Sequence, residues 1–281
     1  MNDPVRPDPP LPPLREVIAR YGLGARKALG QHFLLDQNLT GRIARAADPL
    51  QHGAVFEIGP GPGGLTRSLL GAGAARVIAI ERDARFLPAL AELQAAYPGR
   101  LEILEADALE VDLAALAPPP RQIVANLPYN VSTALLLGWL RQATAFTAMT
   151  LMFQKEVADR LVAAPRTKAY GRLSVATRFH CTIRQLFTVP PAAFTPPPKV
   201  QSSVVQLRPR PDRPADVDPA VLERVVGAAF GQRRKMLRSS LAALAPDVEA
   251  MLARADVAAT ARAEELDVEA FCRIVRALSN A

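Results

Sequence analysis

Phe56-Glu57-Ile58-Gly59-Pro60-Gly61-Pro62-Gly63-Gly64-Leu65-Thr66 decides the fold. A β-rich run, residues 54–58, leads directly into Gly59, Gly61 and Gly64, spaced G-x-G-x-x-G, and a helical pattern opens behind them. Glycines at such a junction permit a tight turn and let a ligand approach the backbone. The spacing alone is weak evidence; its position between strand and helix carries the reading. Outward from it, further β-rich runs at 76–80, 101–104, 122–125 and 147–153 alternate with amphipathic stretches such as 83–96 and 133–142, the latter with Ser132 as its expected N-cap. Alternation of this kind predicts a doubly wound α/β domain with a parallel sheet. Two later runs, 182–189 and 203–207, flank the proline-rich stretch 190–198 and are expected to add antiparallel strands at one edge.

Three acids stand where the ligand of such a sheet lies. Glu57 precedes Gly59 by two residues, Glu81 ends the second run, and Asp107 follows the third. In open α/β sheets the ligand crevice sits beyond the carboxyl ends of the strands. Glu81 suits the two hydroxyls of a ribose, and Asp107 an adenine exocyclic amine. A dinucleotide sets an anionic pyrophosphate on this loop, which Glu57 would repel. S-adenosylmethionine (SAM) instead brings a sulfonium and an ammonium, both of which Glu57 attracts. The series therefore favours SAM over a nicotinamide dinucleotide, with solvated surface charge as the plainer alternative for each acid. The fourth run closes on Asn126-Leu127-Pro128-Tyr129, an amide, carbonyls and an aromatic face side by side. Such a trio grips a planar base carrying an exocyclic amine. Pro128 has no N–H, so the carbonyls around it are expected to be released from regular pairing.

With 281 residues, 49% apolar and 22% charged, the chain has room for one large and one smaller domain. Cys181 and Cys272 are far apart and fit neither a metal-ligand spacing nor a disulfide framework, so no metal and a reducing cytoplasm are expected. Residues 1–13, MNDPVRPDPPLPP, hold six prolines and no apolar core, which reads as a disordered leader rather than a secretory signal. No apolar run approaches the roughly 20 residues of a membrane span. The net charge of +7 and pI near 9.9 favour a polyanionic partner such as nucleic acid. Residues 216–281 carry a net −1, which leaves +8 on residues 1–215 and puts most of any phosphate-binding face there. Beyond Pro209-Arg210-Pro211-Asp212-Arg213-Pro214, stretches 221–230, 233–243, 248–253 and 268–278 are helical in period, without strands. The expected division is a leader at 1–13, an α/β domain at 14–215 and a small helical domain at 216–281. In the latter, Arg233, Arg234, Lys235 and Arg238 form a basic run at an expected helix start, where N–H groups also favour phosphates. A solvated basic face is the alternative.

The order of these motifs resembles Rossmann-like class I SAM-dependent methyltransferases that modify adenine N6. Lys27-Ala28-Leu29-Gly30-Gln31-His32-Phe33-Leu34, Gln154-Lys155-Glu156-Val157, Ala169-Tyr170-Gly171-Arg172-Leu173-Ser174 and Phe194-Thr195-Pro196-Pro197-Pro198-Lys199-Val200 are similar to segments of the ribosomal RNA adenine dimethylase family. Phe230-Gly231-Gln232-Arg233-Arg234-Lys235 is similar to its bacterial small-subunit members. The resemblance spans about residues 23–278. It implies a Rossmann-like sheet with a small all-α C-terminal domain. The implied activity is SAM-dependent dimethylation of two adjacent adenosines in the 3′-terminal hairpin of 16S rRNA within the immature 30S subunit, by a cytoplasmic monomer. It implies cofactor contacts at His32, Leu34, Gly59, Glu81, Asp107 and Asn126, beside the Glu57 and Gly61 of the glycine turn. Many members carry Asn where this chain has His32; a backbone contact would tolerate the change, and a side-chain contact would have to be remade by imidazole.

A base must leave its stack for N6 to meet a methyl donor. The expectation is that Tyr129 and Phe194 cover its two faces, each contact contributing roughly 1–3 kcal/mol, and that the Asn126 side-chain oxygen and the Leu127 or Pro128 carbonyl accept the N6 hydrogens. Core packing is the alternative for Phe194. The competing functions are a 23S rRNA adenine methylase of the macrolide-resistance type and a non-catalytic assembly factor on the same scaffold. The proline loop and the Gln-Arg-Arg-Lys segment weigh against the first, and the intact motifs against the second.

Overall fold

The structure, a computed structural model, describes residues 9–26 and 30–279. Residues 1–8 of the expected leader, and Lys27, Ala28 and Leu29 of the first resemblance segment, lie outside the described residues.

Along the chain run α1 (Leu14–Arg20), β1 (Phe33–Leu34), α2 (Gln37–Ala46), β2 (Ala54–Ile58), α3 (Gly64–Gly71), β3 (Arg76–Glu81), α4 (Leu87–Ala96), β4 (Leu101–Glu105), α5 (Leu113–Leu116), β5 (Arg121–Asn126), α6 (Ser132–Arg141), β6 (Ala148–Gln154), α7 (Lys155–Val162), α8 (Arg172–His180), β7 (Cys181–Val189), β8 (Phe194–Thr195) and β9 (Ser202–Pro209). Helices α9 (Pro219–Gly231), α10 (Leu237–Ser240), α11 (Val248–Arg254) and α12 (Val268–Ser279) follow. The main sheet has the order β4-β3-β2-β5-β6-β9-β7. Strands β4, β3, β2, β5 and β6 are parallel, and β9 runs antiparallel to β6. Every residue of β2 is buried, as are the first six of β6, which is how a parallel sheet with both faces covered reads. β1 and β8 form a separate two-stranded ribbon, with Leu34 opposite Phe194.

Three local expectations are corrected. Residues 9–13 are not a free leader: Leu11 packs against the apolar cluster around α2 and α3, the Pro12 carbonyl accepts from Arg67, and Leu14 and Val17 bury one side of α1. Ser132 is the first residue of α6 rather than its cap, and its hydroxyl donates back to the Tyr129 carbonyl at 3.2 Å. The stretch 233–243 is helical only at α10; a turn and a single bridge between Met236 and Arg262 replace its first part.

Compactness divides the chain into Met1–Gly138 with Thr144–Lys155 and Gln185–Arg208, and a second unit of Trp139–Ala143, Glu156–Arg184 and Pro209–Ala281. A single cut at 216 is thus corrected. The reason lies in the second unit's core, where Tyr170, Val175 and Phe179 of the α7–α8 region share one cluster with Val225, Leu237 and Phe271. The Tyr170 hydroxyl, fully buried, donates to the Leu266 carbonyl at 2.8 Å. Among the described residues no helix is long and apolar enough to cross a membrane.

Candidate active site

Strand order reverses at β2, whose neighbours are β3 on one side and β5 on the other. A crevice opens at the carboxyl ends of strands at such a switch point. Gly59 and Gly61 turn the chain there with φ of +65° and +54°, a region that side chains rarely adopt. Gly64 meets a different constraint: a Cβ at this position would lie 2.6 Å from the Leu34 carbonyl oxygen, so its absence lets the β1 segment lie on the start of α3. The crevice is a cavity of about 410 Å³, and it gathers His32, Leu34, Glu57, Gly59, Gly61, Glu81, Asp107, Asn126, Leu127, Pro128 and Tyr129 on its wall.

Each acid is held differently. Glu81 is only 6% exposed, and its two oxygens accept from the backbone N–H groups of Gly61, at 3.0 Å, and Asp83, at 2.8 Å. Burial raises its pKa, and those two N–H groups oppose the rise. Glu57, at 2% exposure, is pushed up to about 8 by burial. Thr66 beside it works in the opposite direction, yet neither Glu57 Oε2 nor Thr66 Oγ1 closes a hydrogen bond among the described residues. Asp107 accepts from the Leu109 N–H at 3.0 Å and pairs with Arg82 at 2.8 Å. With Arg82 74% exposed, that pair is solvent-screened and contributes little.

At the end of β5, Asn126 Nδ2 donates to the His32 carbonyl at 3.3 Å, which turns Oδ1 away as a remaining acceptor. The Pro128 carbonyl is not released: it accepts from the N–H groups of Val131, at 3.2 Å, and Ser132, at 3.0 Å, at the start of α6. Missing its own N–H, Pro128 still offers a carbonyl that the incoming helix uses. Tyr129 is fixed by a 2.7 Å hydrogen bond between its hydroxyl and Ser202 Oγ, and burial raises its pKa. Phe194 does not present a face to the cavity. It is 3% exposed, drawn into the cluster of Leu34, Val124, Val189 and Val204 by the pairing of β8 with β1. Between the two aromatics stands His32, 5.5 Å from the Tyr129 ring and edge-on to Phe194 at 6.4 Å. Its Nδ1 lies 2.7 Å from the Pro196 carbonyl, so Nδ1 carries the proton and the ring is committed to the proline loop.

A buried acid at the end of β3, an orphaned buried carboxylate oxygen beside the glycine turn and an amide at the end of β5 fit SAM. Glu57, Glu81 and Asp107 are the residues that would hold its charged, ribose and adenine portions. The profile described as Ribosomal RNA adenine dimethylase matches residues 22–280. The chain belongs to the ribosomal RNA adenine dimethylase family. As a dimethylase-family protein it is 60% identical over 286 residues to the ribosomal RNA small subunit methyltransferase A of Rhodospirillum rubrum, covering 100% of this chain and 99% of that one. It is 64% identical over 268 residues to the protein of the same name from Paramagnetospirillum magneticum, with 95% of each chain covered. Among solved structures, the dimethylase fold is similar to a dimethyladenosine transferase from Plasmodium falciparum, with TM-score 0.79, 26% identity and coverage of 89% and 98%. It is also similar to the 23S rRNA methyltransferase ErmE, with TM-score 0.67, 29% identity and coverage of 88% and 99%.

In the dimethylase's second unit the basic run is not at a helix start. Arg233, Arg234 and Lys235 occupy the turn after α9, and only Arg238 falls in the four-residue α10. Arg233 pairs with Glu264 at 2.7 Å and Arg238 with Glu249 at 3.7 Å, whereas Arg234 and Lys235 are exposed. Sequence reading assigned no role to Gln31, Asp83, Arg85 or Ser202. Only the place of Gln31 beside His32 in the Lys27 to Leu34 segment, and of Asp83 two residues after Glu81, hinted at two of them.

Proposed function

We propose that this chain uses SAM to dimethylate N6 of two adjacent adenosines in the 3′-terminal hairpin of 16S rRNA, acting as a cytoplasmic monomer on the immature small subunit. The observation that carries the reading is the Asn126 amide. One of its two N–H groups is spent on the His32 carbonyl, and Asn126 lines the cavity wall shared with Glu57 and Glu81, which makes its oxygen the acceptor available to a base there. SAM supplies a methyl group on a sulfonium, an already activated leaving group. Asn126 Oδ1 and the Leu127 carbonyl accept the N6 hydrogens and turn the nitrogen lone pair out of conjugation. With the Pro128 carbonyl engaged by Val131 and Ser132, Leu127 is the backbone acceptor of the pair. Tyr129, anchored on Ser202, stacks on one face of the base, and Phe194 serves by backing the His32 ring rather than by touching the base. Alignment of this kind contributes up to about 7–11 kcal/mol to a transfer reaction. The proton leaves a nitrogen made acidic by alkylation, so the site needs no dedicated base.

The function is tested by incubating the protein with radiolabelled SAM and either unmethylated 30S particles or 23S rRNA, then identifying the modified nucleoside. Dimethyladenosine in the small-subunit rRNA is the expected product. Label confined to 23S rRNA would mean the macrolide-resistance type of activity, and no label in either would leave a binding factor.

For RNA contact we assign Arg234 and Lys235 to phosphates, with Arg233 and Arg238 as their ion-paired neighbours. The turn they share with Arg233 adjoins a second basic loop. Arg233 donates to the Thr167 carbonyl at 3.3 Å, the Arg166 N–H donates to the Glu264 carbonyl at 2.7 Å, and the Arg166 and Lys168 side chains are exposed. Arg166 holds this turn at φ +68°, uncommon for a non-glycine residue. Replacing Arg234 and Lys235 together by alanine is expected to weaken RNA binding without changing the product, and to reduce the slope of log affinity against log salt by about two. An unchanged slope in a filter-binding titration would remove both residues from the interface.

A further inference from the structure

Hydrogen bonds close a circuit on the ribose side of the cavity that neither the glycine turn nor the Asn-Leu-Pro-Tyr motif contains. Gln31 Nε2 donates to Asp83 Oδ2 at 3.0 Å, while Gln31 Oε1 accepts from the Arg26 N–H at 2.9 Å and from Arg85 at 3.2 Å. Arg85 grips Asp83 with two guanidinium nitrogens, at 2.8 and 2.5 Å, and reaches back to the Gly24 carbonyl at 3.1 Å. The Asp83 N–H in turn donates to Glu81 Oε1 at 2.8 Å. A side chain 52 residues away in sequence is thereby tied to the residue that helps hold the ribose acid.

We propose that Gln31, Asp83 and Arg85 form a clasp that holds the segment bearing His32 and Leu34 closed over the ribose end of the cofactor cleft, and that this clasp sets the affinity for SAM. The inference rests on the assignment of SAM to this cavity. The segment is pinned at two points. At the methyl-transfer end the His32 carbonyl accepts from Asn126, and at the ribose end Gln31 is locked to Asp83. Two residues beyond these pins, the Leu34 carbonyl lies against the start of α3 where only glycine leaves room. The clasp is charge-assisted and permanently ionised: the Arg85 hydrogen bond holds the Asp83 carboxyl down at about 2, with Gln31 adding to the effect. Its three members are positioning residues, since they act on the cofactor through Glu81 and the covering segment. Because the Asn126 tether is independent of it, loosening the clasp raises the SAM requirement without altering transfer from the bound cofactor.

The test is a double-mutant cycle on the full chain, with SAM affinity measured by calorimetry. Gln31→Ala and Asp83→Ala are each expected to raise the SAM dissociation constant about tenfold, and the double variant no further than the larger single effect, as befits members of one circuit. In turnover assays KM for SAM rises by the same factor while kcat stays within about twofold. Melting of the cofactor-free proteins separates this from unfolding. Should either alanine variant fail to fold, Arg85→Lys, which keeps the charge but loses the two-nitrogen fork, carries the test with an expected several-fold loss of affinity. Unchanged SAM affinity in the folded variants, effects that multiply in the double variant, or a fall in kcat with constant KM would each overturn the clasp. Failure of the unaltered protein to bind SAM would instead overturn the cofactor assignment beneath it.

Discussion

Asn126→Ala is expected to lower the methyl-transfer rate at saturating SAM by at least about 10²- to 10³-fold, the usual cost of removing one preorganised polar group from a reacting centre. SAM binding should be weakened by less than about tenfold. The split follows from what the amide does. Its nitrogen secures the His32 carbonyl at 3.3 Å, a single long hydrogen bond whose loss would loosen the covering segment, while its oxygen is the proposed acceptor of an N6 hydrogen in the reacting state. The cofactor contacts proposed for Glu57 and Glu81 should survive the substitution, since among the described residues neither acid bonds to Asn126. Rapid-quench measurement of a single turnover, beside calorimetric SAM binding, reads the two effects separately. Full activity in the variant would refute the role assigned to the amide oxygen, and complete loss of SAM binding would recast Asn126 as a cofactor ligand first.

The sheet was legible because its signal is local and redundant. β2 matches the reading at 54–58, and the ends of β3, β4 and β5 depart from it by one residue, because short apolar runs broken by Gly, Pro or acids have little freedom in where they begin. The place of the acids and Asn126 was legible as well: Glu81 and Asn126 end β3 and β5, Glu57 stands one residue before the end of β2 and Asp107 two residues past β4, so all four reach the crevice at the carboxyl ends of the strands. What escaped were features made across the chain. Leu11 stands alone among prolines and shows no period, so residues 9–13, anchored through Leu11 and the Pro12 carbonyl, read as part of a free leader. Phe194 sits in a motif that invites a stacking role, but only the pairing of Leu34 with Phe194 reveals which way its ring is drawn. The α7–α8 region reads as a continuation of the α/β domain until Tyr170 and Phe179 are found in the core of the helical unit. Gln31 reaches Asp83 and Arg85 through side chains from far along the chain, and no periodicity records such a meeting.

Glu57 yields the second large effect, on stability rather than rate. A carboxyl whose pKa stands near 8 in the fold and 4.5 when unfolded keeps its proton in the native state over a range where the unfolded chain has lost it. The native state therefore binds more protons between those values, and stability falls as pH rises through that window. The loss levels off above about pH 8, once both states are ionised. The limiting slope is about 1.4 kcal/mol per pH unit, so the cofactor-free protein is expected to lose a few kcal/mol, and several degrees in melting temperature, between pH 5 and pH 8. Glu81, raised by its own burial, adds a component of the same sign. Glu57→Gln preserves the shape of the protonated side chain and has no proton to lose, so it should remove most of the slope while leaving stability at pH 5 nearly unchanged. Melting curves of the two cofactor-free proteins at half-unit pH intervals decide the matter. Parallel curves for wild type and variant would mean that Glu57 is already ionised in the fold. A buried carboxyl that is costly to ionise alone would be completed by the sulfonium and ammonium of SAM bound as proposed, and the instability at neutral pH would then be relieved by that cationic ligand.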